Sequence, residues 1–323
     1  MCIRDRNNFV CHTLYHLLIT IIKLKDKENT RIFICDTITN YETWVKTLNE
    51  QGIRTEAVKE FAYREQLQSK NIEEVMELVD SDLNHYFERV DTQVYLFNDD
   101  TLIGRYMVYL GKNYHLIEDG YNCFQAKLFL GGSVVKRVIK TYLFKKYVPY
   151  GFSKYCLSIE VNSLVGLPHD IRSKKYKELP RKKLFDSLNK EQKSLIFKIF
   201  KTKPLTITPK SVLLLTQPLA QDKCYKTPTE RFQSIQEQYD YFDDIVQEYR
   251  TLGYNVYLKV HPRDVVDYSK LPVELLPSNI PMEIIELMLT GRFEFGITHS
   301  STALDFLTCV DKKITLVDLK DIK

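Results

Sequence analysis

Short apolar runs of four to six residues, each followed by a helix-length segment of mixed polarity, recur along this 323-residue chain. In the first half they fall at 8–12, 31–36, 93–98 and 114–117. In the second half they fall at 212–216, 255–260, 293–298 and 314–317. The intervening segments 14–25, 41–51, 101–110, 281–289 and 301–308 carry helical character, and Gly52, Gly111 and Gly291 stand at three of the ends. Thr227, Pro228 and Glu230 have the form of a helix start, and that helix is expected to run to Leu252, before Gly253. Strands that alternate with helices pair in parallel through crossovers, so the expected class is α/β with parallel sheets. A polar, basic stretch at 166–203, followed by Pro204 and Pro209, separates the two series. The predicted division is a Rossmann-like domain over 1–190 and another over 208–323, with 190–208 as the crossing.

Composition narrows the class. A charged fraction of 27% and a hydrophobic fraction of 44% are those of a soluble globular protein. The net charge of +4 is unevenly spread, because residues 171–203 hold twelve Lys/Arg against three Asp/Glu. A basic segment on a near-neutral chain points to an anionic surface or ligand more than to nucleic acid. The stretch 136–203, rich in Lys, Arg and aromatic residues, has two readings: contact with an anionic membrane surface, or a solvated basic face. The seven cysteines are scattered without C-x-x-C spacing, which fits a reducing cytoplasm and argues against a zinc site or a disulfide framework. Apolar runs such as 17–22 are too short to span a bilayer, and the first residues lack a signal-peptide pattern. The opening six residues read as a fragment start, and the finish at Lys323 is abrupt.

Chemistry-bearing residues sit at the tips of the strand-like runs, where open α/β sheets place their ligands. Glu118 and Asp119 leave one run beside Gly120; one carboxylate can accept a proton from a hydroxyl, while the competing reading is a solvated Asp-Gly bend. Lys259 and His261 share a face of another run, with Pro262 stiffening the exit and Arg263 at its mouth. A histidine beside two cations becomes a charge-assisted donor when an anion binds, which suits holding and protonating a departing phosphate. Ser300 and Ser301 fall at a strand-to-helix turn, where a hydroxyl can cap the helix or meet a phosphate. Asp222 is the reserve base, with a loop aspartate as the competing reading. His12 and His16 read as packed histidines, with His12 the one that could touch an acceptor. The sequence has no G-x-G-x-x-G, Walker loop or H-E-x-x-H, so nicotinamide, ATP and zinc-hydrolase chemistry find no support.

Glu118-Asp119-Gly120, His261-Pro262 and Ser300-Ser301, in this order, resemble the acidic, HP and serine motifs of bacterial sialyltransferases. The opening 9–16, Gln217-Pro218-Leu219, Lys259-x-His261-Pro262-Arg263 and Ile280-Pro281-Met282-Glu283 look like glycosyltransferase family 52, the lipooligosaccharide sialyltransferases. The resemblance implies a GT-B fold, with two Rossmann-like domains around a cleft. It also implies an inverting, metal-independent transfer from CMP-sialic acid to a galactose-type hydroxyl of a bacterial surface glycan, lipooligosaccharide or capsule. Asp119 or Glu118 would be the base, with Asp222 in reserve. His261 would be the acid, and Gly120, Lys259, Pro262, Arg263, Ser300 and Ser301 would line the donor site. No cofactor and no metal are expected. The expected partners are a nucleotide-sugar donor and a glycan or glycolipid acceptor; a homodimer and peripheral contact with the inner membrane face stay open. GT-B enzymes of this kind carry C-terminal helices that cross back to the first domain, and none is visible after Val317, so an incomplete chain is expected. Two alternatives remain: a GT-B transferase of capsule or teichoic-acid type with a CDP- or UDP-linked donor, and a glycan-binding protein without turnover.

Overall fold

The computed structural model describes residues 6–63, 72–87, 92–120, 124, 149–221, 232–301 and 303–317. The chain divides into two compact units, 1–199 and 200–323. Unit 1 is built on seven strands: β1 Arg6–Cys11, β2 Thr30–Cys35, β3 Thr55–Val58, β4 Thr92–Leu96, β5 Tyr114–Ile117, β6 Cys156–Val161 and β7 Tyr176–Glu178. All pair in parallel, in the order β3-β2-β1-β4-β5-β6-β7. The helices are α1 Leu14–Lys23, α2 Tyr41–Glu50, α3 Ile72–Phe87, α4 Leu102–Tyr109, α5 Arg181–Asp186 and α6 Lys190–Ile199. Val10, Phe33, Leu96, Tyr106, Leu116 and Ile159 fill its core. The strand order turns back between β1 and β4, so this sheet has its switch point where those two strands end.

Unit 2 repeats the plan. Its strands β9 Ser211–Leu215, β10 Asn255–Lys259, β11 Glu274–Leu276, β13 Phe293–Thr298 and β14 Val310–Thr315 pair in parallel as β11-β10-β9-β13-β14. The short β8 Leu205–Thr206 and β12 Leu289–Thr290 form a separate pair. The helices are α7 Ile235–Thr251, α8 Met282–Met288 and α9 Ala303–Phe306. Central β9 is buried at every position, which the apolar run Val212–Leu215 after Ser211 reflects. Its switch point lies between the ends of β9 and β13. Two parallel Rossmann-like sheets in succession are the α/β plan that the GT-B resemblance implied.

Three local expectations are corrected. Helix α7 begins at Ile235 and not near 228, because Phe232–Ser234 are non-helical. Ser234 caps it, its Oγ accepting from the Glu237 backbone N–H, while the Glu237 carboxylate accepts from the backbone N–H of Gln233 just before the cap. Thr227 lies outside the described residues. The last strand runs over Val310–Thr315 and not 314–317; it is an edge strand whose exposed Asp311, Lys312 and Lys313 mask its pattern. Finally, the basic segment is not wholly a solvated face. Arg172 and Arg181 are buried and paired with Asp170 and Glu160.

Candidate functional site

In unit 1 the side chains gather at the carboxyl ends of β1, β2 and β5 and in the loops after β3 and β4. Asp119, two residues past the end of β5, keeps 39% of its side chain exposed. The Nε2 of buried His16, in the first turn of α1, donates to one Asp119 oxygen. His16 Nδ1 accepts from the His12 backbone N–H at 3.1 Å, and Thr13 Oγ accepts from the His16 N–H at 3.2 Å. Phe97 stacks on the imidazole with centroids 4.2 Å apart. Burial pushes the Asp119 pKa up, but the His16 bond, the nearby His12 and a bond from Asn98 outweigh it, and the carboxyl lies below its ordinary value. Burial dominates at His16 and lowers its pKa.

The sequence reading left Glu118 and Asp119 as equal candidates; the fold separates them. Glu118 is 1% exposed, and its carboxylate accepts from the Asn162 amide at 2.5 Å. Its carbonyl accepts from buried Arg181 at 3.1 Å, and Arg181 also pairs with Glu160. Glu118 therefore ties β5 to the chain beyond β6 and supports the turn that carries Asp119. At Gly120 an added Cβ would meet nothing within 4 Å, so that side of the turn is open.

Beside this pair, His12 Nε2 and Glu60 lie 3.0 Å apart. With Cys35 they form the one group among the described residues able to hold a metal ion, the donor atoms lying within 4.8 Å of one another. As the chain stands, burial raises the Cys35 pKa well above normal and keeps a proton on the thiol that a metal would have to displace. The sequence reading did not foresee this group, because its members sit 23 and 25 residues apart on successive strand ends.

In unit 2 the candidate groups flank the end of β9. His261 follows β10, and Ser300 and Ser301 follow β13, on either side of β9; strands two apart in a sheet are about 10 Å from each other. Thr216 and Gln217, leaving β9, bind both neighbours. Thr216 Oγ accepts from the His261 N–H at 3.1 Å. Gln217 Oε1 accepts from the Ser300 N–H at 2.7 Å and the Ser300 hydroxyl at 3.1 Å. The Arg263 N–H donates to His261 Nδ1 at 3.1 Å, so the ring's Nε2 bears the proton. His261 is half-buried, whereas Pro262 and Arg263 are exposed.

The two serines part company. Ser300 is 1% exposed and committed to Gln217 and His299. Ser301 is partly exposed, and its Oγ accepts from the Ala303 N–H at 3.2 Å, which leaves the hydroxyl proton for a ligand. Lys259 is buried, donating to the Ser278 carbonyl at 3.0 Å; desolvation lowers its pKa to about 8, while nearby Glu283 opposes the shift. Asp222 lies outside the described residues.

Sequence reasoning passed over Asp264. Its carboxylate accepts from Thr216 at 2.7 Å, Gln238 at 2.9 Å, the Val266 N–H at 3.0 Å and Tyr268 at 3.2 Å, which fixes the loop that carries His261. Its only local trace is an Asp placed to cap the bend two residues on. Among the described residues no helix is long and apolar enough to cross a membrane.

Solved structures with a similar course of chain include Medicago truncatula UGT71G1 complexed with UDP-glucose, at 12% identity, covering 91% of this chain and 76% of that one, with a TM-score of 0.44. Spinosyn forosaminyltransferase SpnP matches at 14% identity over 96% and 80% of the two chains, with a TM-score of 0.46. The glycotransferase of kitacinnamycin matches at 10% identity over 92% and 76%, with a TM-score of 0.44. No protein of curated function matches in sequence. The family model for glycosyltransferase family 52 matches residues 26–321, nearly the whole chain, and the protein belongs to that glycosyltransferase family.

Proposed function

We propose that this glycosyltransferase moves sialic acid from CMP-sialic acid to a galactose-type hydroxyl of a bacterial surface glycan, with inversion. The observation that carries the reading is Asp119, a partly open carboxylate held below its ordinary pKa at the ligand-binding edge of the unit 1 sheet. An inverting displacement needs one base at the acceptor hydroxyl and stabilisation of the departing phosphate, with no covalent intermediate. Unit 1 supplies the base, Asp119, and Glu118 holds its turn. Unit 2 supplies His261, whose Nε2–H suits a phosphate oxygen, with Ser301 and Arg263 as further donors. Ser300, through Gln217, shapes that turn, and Lys259 adds positive charge behind it. This chemistry calls on no metal. Contact of the basic stretch with an anionic membrane, self-association and a cytoplasmic setting belong to the same proposal.

The test is product analysis with CMP-sialic acid and a β-galactoside. Release of CMP with a sialylated product supports the reading. Turnover only with CDP- or UDP-linked donors would replace it with the capsule or teichoic-acid alternative, and donor binding without turnover would favour a binding protein. His261→Ala is expected to lower kcat by on the order of a hundredfold with folding intact; an unchanged rate removes His261 from the mechanism.

A further inference from the structure

Three contacts fix the imidazole of His16 and a fourth fixes its backbone, each restricting it differently. The His12 backbone amide can only donate, so His16 Nδ1 must be the unprotonated nitrogen. The single ring proton then lies on Nε2, which faces Asp119. The Thr13 hydroxyl caps the His16 amide, and Phe97 lies flat on the ring, with 4° between the planes. The ring is 1% exposed, so an acceptor sugar meets Asp119 and not the imidazole.

The geometry points to His16 as a positioning residue for catalysis: its Nε2–H holds the Asp119 carboxylate in the rotamer that receives the acceptor proton. This inference rests on the reading of Asp119 as the base. In the step itself the acceptor hydroxyl gives its proton to Asp119 as its oxygen bonds the donor's anomeric carbon. The nucleotide phosphate leaves with the former bonding pair. His16 takes no proton, because protonation at Nδ1 would set two N–H groups against each other. The groups facing the pair are His12, itself paired with Glu60, then Asn98 after β4, and Arg181 of α5. The ring proton therefore stays on Nε2, between the imidazole and the carboxylate, and Nδ1 stays an acceptor for the His12 amide.

Two substitutions separate positioning from helix capping. His16→Asn keeps an acceptor for the His12 amide but places no donor at Asp119, whereas His16→Gln extends an amide donor toward it. With CMP-sialic acid and a β-galactoside, Asp119→Asn should cut kcat at least a hundredfold. His16→Asn should lower kcat by roughly 10- to 100-fold with donor KM unchanged, and should move the acid limb of kcat to higher pH. His16→Gln should recover most of the rate. Independently of turnover, ¹⁵N imidazole spectra at neutral pH should show His16 as the Nε2–H tautomer, with its resonance displaced by Asp119→Asn. A folded His16→Asn enzyme with wild-type kcat and acid limb overturns the inference, as does a His16 ring whose proton resides on Nδ1. If Asp119→Asn keeps full activity, the base assignment itself falls. If Asp119→Asn is inactive and His16→Asn is not, only the role given to His16 falls. If the wild-type protein is silent with this donor, the donor class is refuted and the spectra decide on His16.

Discussion

Replacing Asp264 with alanine strips four donors of one acceptor, and the environment of each donor sets the cost. Gln238 and Tyr268 are 0% and 2% exposed, so their released N–H and O–H groups have no water to turn to. Each orphaned buried donor costs about 1–3 kcal/mol. Thr216 and Val266 are also buried, at 3% and 6% exposed, so the hydroxyl and the amide are orphaned at a comparable cost. Non-additivity trims the sum, and the expected loss is about 3–5 kcal/mol in unit 2. The sole tryptophan, Trp44, lies in unit 1, so its fluorescence is the wrong reporter. Far-UV circular dichroism in guanidinium should show the loss, and hydrogen exchange should show lost protection in 255–268 first. Thr216→Val, which keeps the branched shape but removes both the donor to Asp264 and the acceptor of the His261 N–H, should cost about 1–3 kcal/mol. A change below about 1 kcal/mol for Asp264→Ala, with exchange at 255–268 unaltered, would refute the claim that this carboxylate holds the His261 loop.

Three further outcomes follow from the same structure. Turnover should survive dialysis against EDTA, since the proposed chemistry rests on side-chain donors; activity lost and restored by one added divalent ion would implicate the His12, Cys35 and Glu60 group. His16 and His115 both have pKa values lowered by burial from 6.5, so the unfolded chain binds more protons as pH falls below that value. Stability should therefore be full above about pH 6.5 and decline toward pH 5, by at most about 1.4 kcal/mol per pH unit for each histidine, as read by denaturant titration at several pH values. The Asp119 carboxyl, lowered from 3.8, contributes stability that is lost only at more acidic pH, outside this window. Gly104→Ala should cost roughly 2–4 kcal/mol in thermal or chemical unfolding. The new Cβ would meet the Asp99 backbone, and Tyr114 and the Gly151 amide pin the Asp99 side chain. A near-neutral effect would mean that this turn can yield.

Most inner strands of the two sheets were legible as short, continuous apolar runs, whereas β6 was missed because Ser158 and Glu160 interrupt its apolar residues. Val212–Leu215 and Phe9–Cys11 need no partner to be recognised. Thr55–Val58, Tyr176–Glu178 and Glu274–Leu276 escaped because they are short outer strands with polar or half-exposed residues. Their hydrophobic signal is supplied by neighbours and not by their own sequence. The sequence reading started α7 at Thr227, whereas the structure caps it at Ser234.

The amino-acid order determined that Asp119, His261 and the serine pair stand at strand tips, because alternation between apolar runs and helices fixes where each strand ends. Tertiary structure decided which way those side chains point. His16 meets Asp119 from 103 positions away, and Gln217 takes hold of Ser300 across 83. Glu118 turned inward to Asn162 while its neighbour stayed partly open. Periodicity is a local property and reports the face a residue occupies. The direction of a side chain past the last ladder bond depends on the adjacent strands, and strand order exists only once the sheet has formed.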